Sequence, residues 1–165
     1  MNILLLTGSR GSGKTTTADL ILKAINLPCA GFRTVQAGNT PAGPLYNMVN
    51  IQTGEFAPIS CYDNKKICGL PNTFLTFGTD LLLNALHSDA SLFLMDEIGR
   101  FEQNCPSFLN AVWNILESDI PTIVVLKKEN LPHIARIRAR QDSLLFDLDY
   151  ISPAQIMKKI YRKFI

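Results

Sequence analysis

The chain has 165 residues, 47% of them apolar and 18% charged, a globular composition that excludes a disordered or collagen-like chain. At ~100 to 200 residues per domain, this length also argues against a multidomain assembly, so one domain spanning residues 1–165 is expected. The net charge of +2 is uneven: residues 127–165 hold nine Lys and Arg against four Asp and Glu, whereas residues 1–126 hold seven against ten.

In chain order, residues 2–6 read as a buried strand that runs through a glycine-rich turn into a helix over 15–25, where Ala18, Ile21, Leu22 and Ile25 fall at helical spacing. From Gly31 to Tyr62 the pattern changes to short alternating segments broken by residues 37–43 and by Thr53-Gly54, which predicts an antiparallel hairpin insertion. A helix over 79–87 leads to the strand 92–95. After it come a helix over 107–116, a strand over 122–126, a helix over 131–140, a strand over 144–148 and a last helix with Ser152 as N-cap and Pro153 at its first position. Alternation of this kind predicts an α/β fold, a mostly parallel sheet with helices on both faces. Trp113 is expected in the core, and His87 and His133 stand isolated.

No apolar run approaches the ~20 residues needed to cross a bilayer, so no membrane partner is expected. The first residues lack the basic flank of a signal peptide. The four cysteines (Cys29, Cys61, Cys68, Cys105) are irregularly spaced, with no C-x2-C pair, which fits free thiols in a reducing, cytoplasmic setting.

Gly8-Ser9-Arg10-Gly11-Ser12-Gly13-Lys14-Thr15 matches the phosphate-loop pattern G-x-x-x-x-G-K-[ST] between a predicted strand and a predicted helix. The glycines let successive N–H groups turn inward around phosphate oxygens, and the helix N-terminus adds unpaired donors. Lys14 is a point charge for the β- and γ-phosphates, and the Thr15 hydroxyl is a hard oxygen ligand for Mg²⁺. Thr16, next on the helix, completes the expected nucleotide-binding stretch.

Asp96 and Glu97 follow four apolar residues, which places them at the sheet edge that carries the phosphate loop. Asp96 is expected to hold Mg²⁺ through its water shell, and Glu97 to orient or deprotonate a water attacking the γ-phosphate. Adjacent Asp-Glu favours an arrangement in which strand 122–126 lies between the loop strand and the acidic strand. Lys127 or Lys128 would then point towards the γ-phosphate. Arg136 and Arg140 share one helix face, a solvated face or a source of transition-state charge.

The chain resembles the small P-loop nucleoside triphosphatases first described in hyperthermophiles, whose human member is called the cancer-related nucleoside triphosphatase. The matching residues are Gly8 to Thr16, Gly31-Phe32-Arg33-Thr34, Asp96-Glu97-Ile98-Gly99-Arg100-Phe101-Glu102 and Arg136-Ile137-Arg138-Ala139-Arg140. The resemblance implies a RecA-like fold and slow, Mg²⁺-dependent hydrolysis of ATP, GTP, CTP and UTP with little choice of base. Two stretches depart from the family pattern. Val35-Gln36-Ala37 stands in place of an E-V-R stretch, and Lys127-Lys128-Glu129 follows the middle strand, where relatives tend to carry an aromatic or a histidine.

Two other functions use the same features. A small-molecule or nucleotide kinase would need the same loop, lysine and metal, plus a lid or acceptor pocket. A nucleotide-gated protein binding RNA or another partner would account for the basic last third, although no N-K-x-D guanine motif is present.

Overall fold

The computed structural model of the chain describes residues 2–164, with side chains through Tyr161. β1 (Ile3–Thr7) leads to α1 (Lys14–Ile25), followed by β2 (Cys29–Thr40), β3 (Gly43–Asn50), β4 (Phe56–Pro58), β5 (Ser60–Asp63) and β6 (Lys66–Gly69). A helical stretch then runs from α2 (Pro71–Thr73) through a π-helical turn (Phe74–Gly78) into α3 (Thr79–Leu86). The remainder alternates: β7 (Leu92–Ile98), α4 (Pro106–Glu117), β8 (Thr122–Leu126), α5 (Pro132–Arg138), β9 (Ser143–Asp147) and α6 (Pro153–Phe164).

Seven strands make one sheet in the order β4-β3-β2-β7-β8-β1-β9. β2, β7, β8, β1 and β9 run parallel, and β3 and β4 extend one edge in antiparallel fashion. β8 is the expected middle strand, pairing with β1 on one side and β7 on the other. The antiparallel segment is also present, but its first strand does two jobs. Cys29–Arg33 pairs in parallel with Leu92–Asp96, while Phe32–Thr40 pairs with β3. β5 leaves the large sheet and pairs with β6 in a separate two-stranded sheet that the alternation pattern did not separate out.

Gly31 makes the β2–β7 pairing possible. Its φ of 120° lies in the region open to glycine, and a Cβ there would sit 2.0 Å from the Leu94 carbonyl oxygen.

Period-two alternation divides the buried strand residues between two layers. Leu4, Leu6, Leu92, Leu94, Ile123 and Val125 face Ala18 and Ile21 of α1 and Ile156 and Ile160 of α6. The intervening residues, among them Leu5, Phe93, Met95 and Val124, face α3, α4 and α5. On that second face Phe108 packs edge-on to Phe74 with centroids 5.1 Å apart and tilted to Phe32 at 5.8 Å.

Helix α6 has the expected start. Ser152 Oγ accepts the Gln155 N–H at 3.3 Å, and Gln155 Oε1 accepts the Ser152 N–H at 3.0 Å, a reciprocal cap. Trp113 meets expectation only in part, since it packs against the core from its edge rather than inside it. It is half-buried because it falls beside the α4 stripe of Ala111, Val112, Ile115 and Leu116, and its ring is covered by the guanidinium groups of Arg136 and Arg140. All four cysteines are free thiols.

Candidate active site

The chain leaves β1 at Thr7 and reaches α1 through residues 8–13. Gly13 is the N-cap at φ 91°, with no side-chain cap. A capping side chain would occupy the first-turn donors; without one, the N–H groups of Lys14, Thr15 and Thr16 have no intrahelical acceptor and open onto the loop. Gly8 is buried, Ser9, Arg10 and Gly11 are exposed, and Ser12 lies between. Ser12 Oγ is the buried side-chain oxygen without a hydrogen-bond partner among the described residues. An orphaned hydroxyl inside a cradle of free N–H groups is suited to an anionic guest.

Lys14 folds back over this loop. Its Nζ donates to the carbonyls of Gly8 (3.1 Å) and Ser9 (3.2 Å) and lies 3.7 Å from Glu97 Oε2. Thr15 Oγ1 donates to Asp96 Oδ1 at 3.4 Å. The two sequence motifs, 81 residues apart in this contact, therefore meet at the C-terminal edge of the sheet. Thr16 is exposed beside them.

Asp96 is 3% exposed, and burial pushes its carboxyl up to about 6, against the opposing pull of Thr15 and of Arg33. Burial also raises Glu97, opposed by Lys14. Arg33, paired in register with Asp96 on β2, places Nη1 3.7 Å from Asp96 Oδ2 and pairs through Nη2 with Asp19 of α1. Thr34 Oγ1 accepts the Glu97 N–H at 3.2 Å. The peptide bond between Asp96 and Glu97 is cis.

Just beyond Glu97 the backbone is pinned on three sides. The Gly99 N–H donates to Glu102 Oε1 at 2.6 Å, the Gly99 carbonyl meets His133 Nε2 at 2.7 Å, and the Ile98 carbonyl accepts the Lys127 N–H at 2.9 Å. Glu102 is 3% exposed and its carboxyl is pushed up to about 7 by burial.

The phosphate loop has its own brace. Asp149 accepts the Ser9 N–H at 3.0 Å, the Ser9 hydroxyl at 2.7 Å and Lys128 Nζ at 2.7 Å; Asp147 holds the same lysine at 2.8 Å. These bonds hold Asp149 well below the usual carboxylate range and raise Lys128. Lys128 is thus tied to the outside of the loop rather than free to turn to a γ-phosphate. Lys127 pairs with Glu129 at 3.2 Å and lays its stem beside Gly99.

The late arginines are placed elsewhere. Arg140 bonds Glu117 and Asp142, both at 2.6 Å, around a recess that includes Asn2 and Ile3 at the start of β1. The loop leaves the other end of that strand, about 16 Å away at ~3.3 Å per residue, out of the side chain's reach. Arg136 stacks 3.8 Å above the Trp113 ring.

Sequence spacing located Lys14, Thr15, Asp96 and Glu97 but assigned no role to Arg33, Thr34, Glu102, His133 or Asp149. Arg33, Thr34 and Glu102 lay inside stretches shared with the resembled family; His133 and Asp149 carried no local signal.

Comparison with known proteins gives a consistent result. Nucleoside-triphosphatase THEP1 of Methanosarcina acetivorans is 27% identical over 97% of this chain and 95% of its own. The protein of that name from Thermotoga petrophila is 26% identical over 95% and 89%. Among solved structures, THEP1 from Aquifex aeolicus superposes with a TM-score of 0.78 at 19% identity, covering 96% of each chain. The human cancer-related nucleoside triphosphatase superposes with a TM-score of 0.68 at 24% identity over 98% of this chain and 96% of its own. The model of the family described as NTPase matches residues 3–161, and with the phosphate loop and acidic strand end meeting as described, the chain belongs to that family, whose chemistry is the hydrolysis of nucleoside triphosphates.

Proposed function

We propose that this single domain catalyses Mg²⁺-dependent hydrolysis of nucleoside 5′-triphosphates to diphosphate and phosphate, accepting ATP, GTP, CTP and UTP. The observation that carries this reading is the double contact at the sheet edge, Thr15 to Asp96 at 3.4 Å and Lys14 to Glu97 at 3.7 Å. Residues 8–13 and the first-turn N–H groups of α1 bind the phosphate chain. Lys14 exchanges its loop carbonyls for the β- and γ-phosphate oxygens. Thr15 and Asp96 would hold the cation: they offer oxygen donors only, one of them a buried carboxylate with Arg33 Nη1 3.7 Å away, and a hard divalent cation prefers such oxygen donors. Among the described residues no cluster of three or more His, Cys, Asp or Glu competes as a metal site. When bound there, such a cation would supply positive charge to offset the charge that develops on the leaving group.

Glu97 accepts the proton of the attacking water, and Thr34, through the Glu97 N–H, fixes where that carboxylate starts. Base tolerance follows from a site assembled from phosphate-facing and metal-facing groups. The test is Glu97→Gln, which keeps shape and removes the base. Single-turnover phosphate release should slow by ~10² to 10⁴-fold while nucleotide affinity stays near wild type. Because the base acts ionised and burial raises its pKa, the wild-type rate should rise with pH through a midpoint above the ordinary glutamate value. Release at the wild-type rate by Glu97→Gln would remove Glu97 from this role.

A further inference from the structure

A cleft of about 340 Å³ opens between α4 and α5, on the sheet face opposite α1. Its polar lining is Gln103, Asn104, Asn110, His133 and Arg136, with Trp113 as its aromatic wall, and none of the lining residues is acidic. Arg136 lies with its guanidinium 3.8 Å over the Trp113 ring, and among the described residues it pairs with no carboxylate. Arg140, four residues on, covers the same ring and has two carboxylate partners. A guanidinium stacked on an aromatic face keeps its donor edge free and loses little freedom on binding, the arrangement that recognises planar or tetrahedral oxyanions. Three carboxamides around it add donors and acceptors for the body of a ligand. The volume is within the range of sites for small molecules, ~300 to 1,000 Å³.

The cleft also touches the reaction centre. His133 forms part of its wall and is bonded at 2.7 Å to the carbonyl of Gly99, two residues from Glu97. A molecule that draws the imidazole towards the cleft must lengthen that bond or move Gly99 with it.

We propose that the α4–α5 cleft is a second ligand site, for a small organic anion bearing a carboxylate or phosphate ester, and that its occupancy is transmitted to Glu97 through His133 and Gly99. The binding half stands independently of the role given to Glu97; the transmission half rests on it.

Trp113 is the single tryptophan of the chain, so its emission reports directly on the cleft. The titration uses succinate and glycerol 3-phosphate as probes of the two anion classes, on the wild-type protein and on Lys14→Ala, in which the phosphate loop is weakened as a competing anion site. A saturable change in Trp113 emission is expected with at least one probe in both proteins. Its dissociation constant should rise at least tenfold in Arg136→Gln and less in Arg136→Lys. Arg136 is exposed, so neither substitution threatens folding. The same probe should change kcat of the wild-type enzyme with little change in KM, and that response should vanish in Arg136→Gln and in His133→Ala, each compared with itself without the anion. No saturable emission change with either probe, or one that survives Arg136→Gln unaltered, would overturn the site. Binding that leaves kcat of the wild type unmoved would overturn the transmission.

Discussion

Glu102 shows how a single buried carboxyl group links the backbone beside Glu97 to stability. It is 3% exposed, with one oxygen taken by the Gly99 N–H, and burial raises it from 4.5 to about 7. A carboxyl raised in the folded state keeps its proton there after the unfolded chain has released it, so stability falls as pH rises between those two values. The loss from this one group is up to ~3 kcal/mol at ~1.4 kcal/mol per pH unit. Glu102→Gln keeps an oxygen for Gly99 and cannot ionise. Urea unfolding at pH 5 and pH 8 should therefore show a smaller stability loss in the variant than in wild type. Equal losses would mean that Glu102 does not titrate in this window. At the same scale, Asp149→Ala removes the acceptor of both Ser9 donors and one partner of Lys128. A loosened loop must be ordered at the moment of binding, so KM for triphosphate should rise several-fold with kcat changed much less. An unchanged KM would make the brace irrelevant to binding. The residues that contact phosphate and metal in the proposed reaction were readable because each lies in a contiguous motif. Those that hold them in place were not: the Ser9–Asp149 bond spans 140 positions and the Glu97–Thr34 bond 63, and no local pattern encodes such a pairing.

Among the elements, β2 carries the most tertiary information. Its first five residues complete the parallel sheet beside β7, and its remainder turns that sheet outward into the hairpin with β3. Gly31→Ala would place a methyl carbon against the Leu94 carbonyl at a backbone angle that alanine rarely adopts. The strained angle alone costs ~1 to 3 kcal/mol, and relief requires β2 to draw away from β7, taking Arg33 away from Asp96. The variant should lose at least that much stability by denaturant titration and should need more Mg²⁺ for half-maximal turnover. Wild-type stability would show that β2 can shift freely at this point. Sequence periodicity marked this region as strands because alternating apolar residues and turn residues are local signals. It did not show that one strand belongs to two pairings, since a partner is chosen by tertiary contact. β5 and β6 were missed as a separate pair for the same reason.

At the scale of the whole molecule, the loop after β1 and the acids at the end of β7 are brought together by a parallel sheet with β8 between them, and a ligand that bridges both should tighten the fold. Mg²⁺ with a non-hydrolysable triphosphate at a hundred times its dissociation constant should stabilise the protein by ~2.7 kcal/mol. For a chain of this length that is a rise in Tm of roughly 5 to 10 °C at ~2 to 4 °C per kcal/mol. The rise should shrink when Mg²⁺ is withheld or in Asp96→Ala; a rise indifferent to the metal would detach Asp96 from the nucleotide. The fold class, the alternation of strands and helices from Leu92 onward and the two motifs that meet at the sheet edge were legible in the sequence itself, because apolar periodicity, turn residues and motif spacing are properties of neighbouring positions. Tertiary structure alone decided that Arg140 sits at the far end of the sheet, that Lys128 braces the loop from outside, that Trp113 lies half-buried under two arginines, and that Glu102 and His133 hold Gly99 beside Glu97. Each depends on which distant backbone atom or charge a side chain meets once the sheet is formed, and the energy of that meeting does not exist in the separated segments.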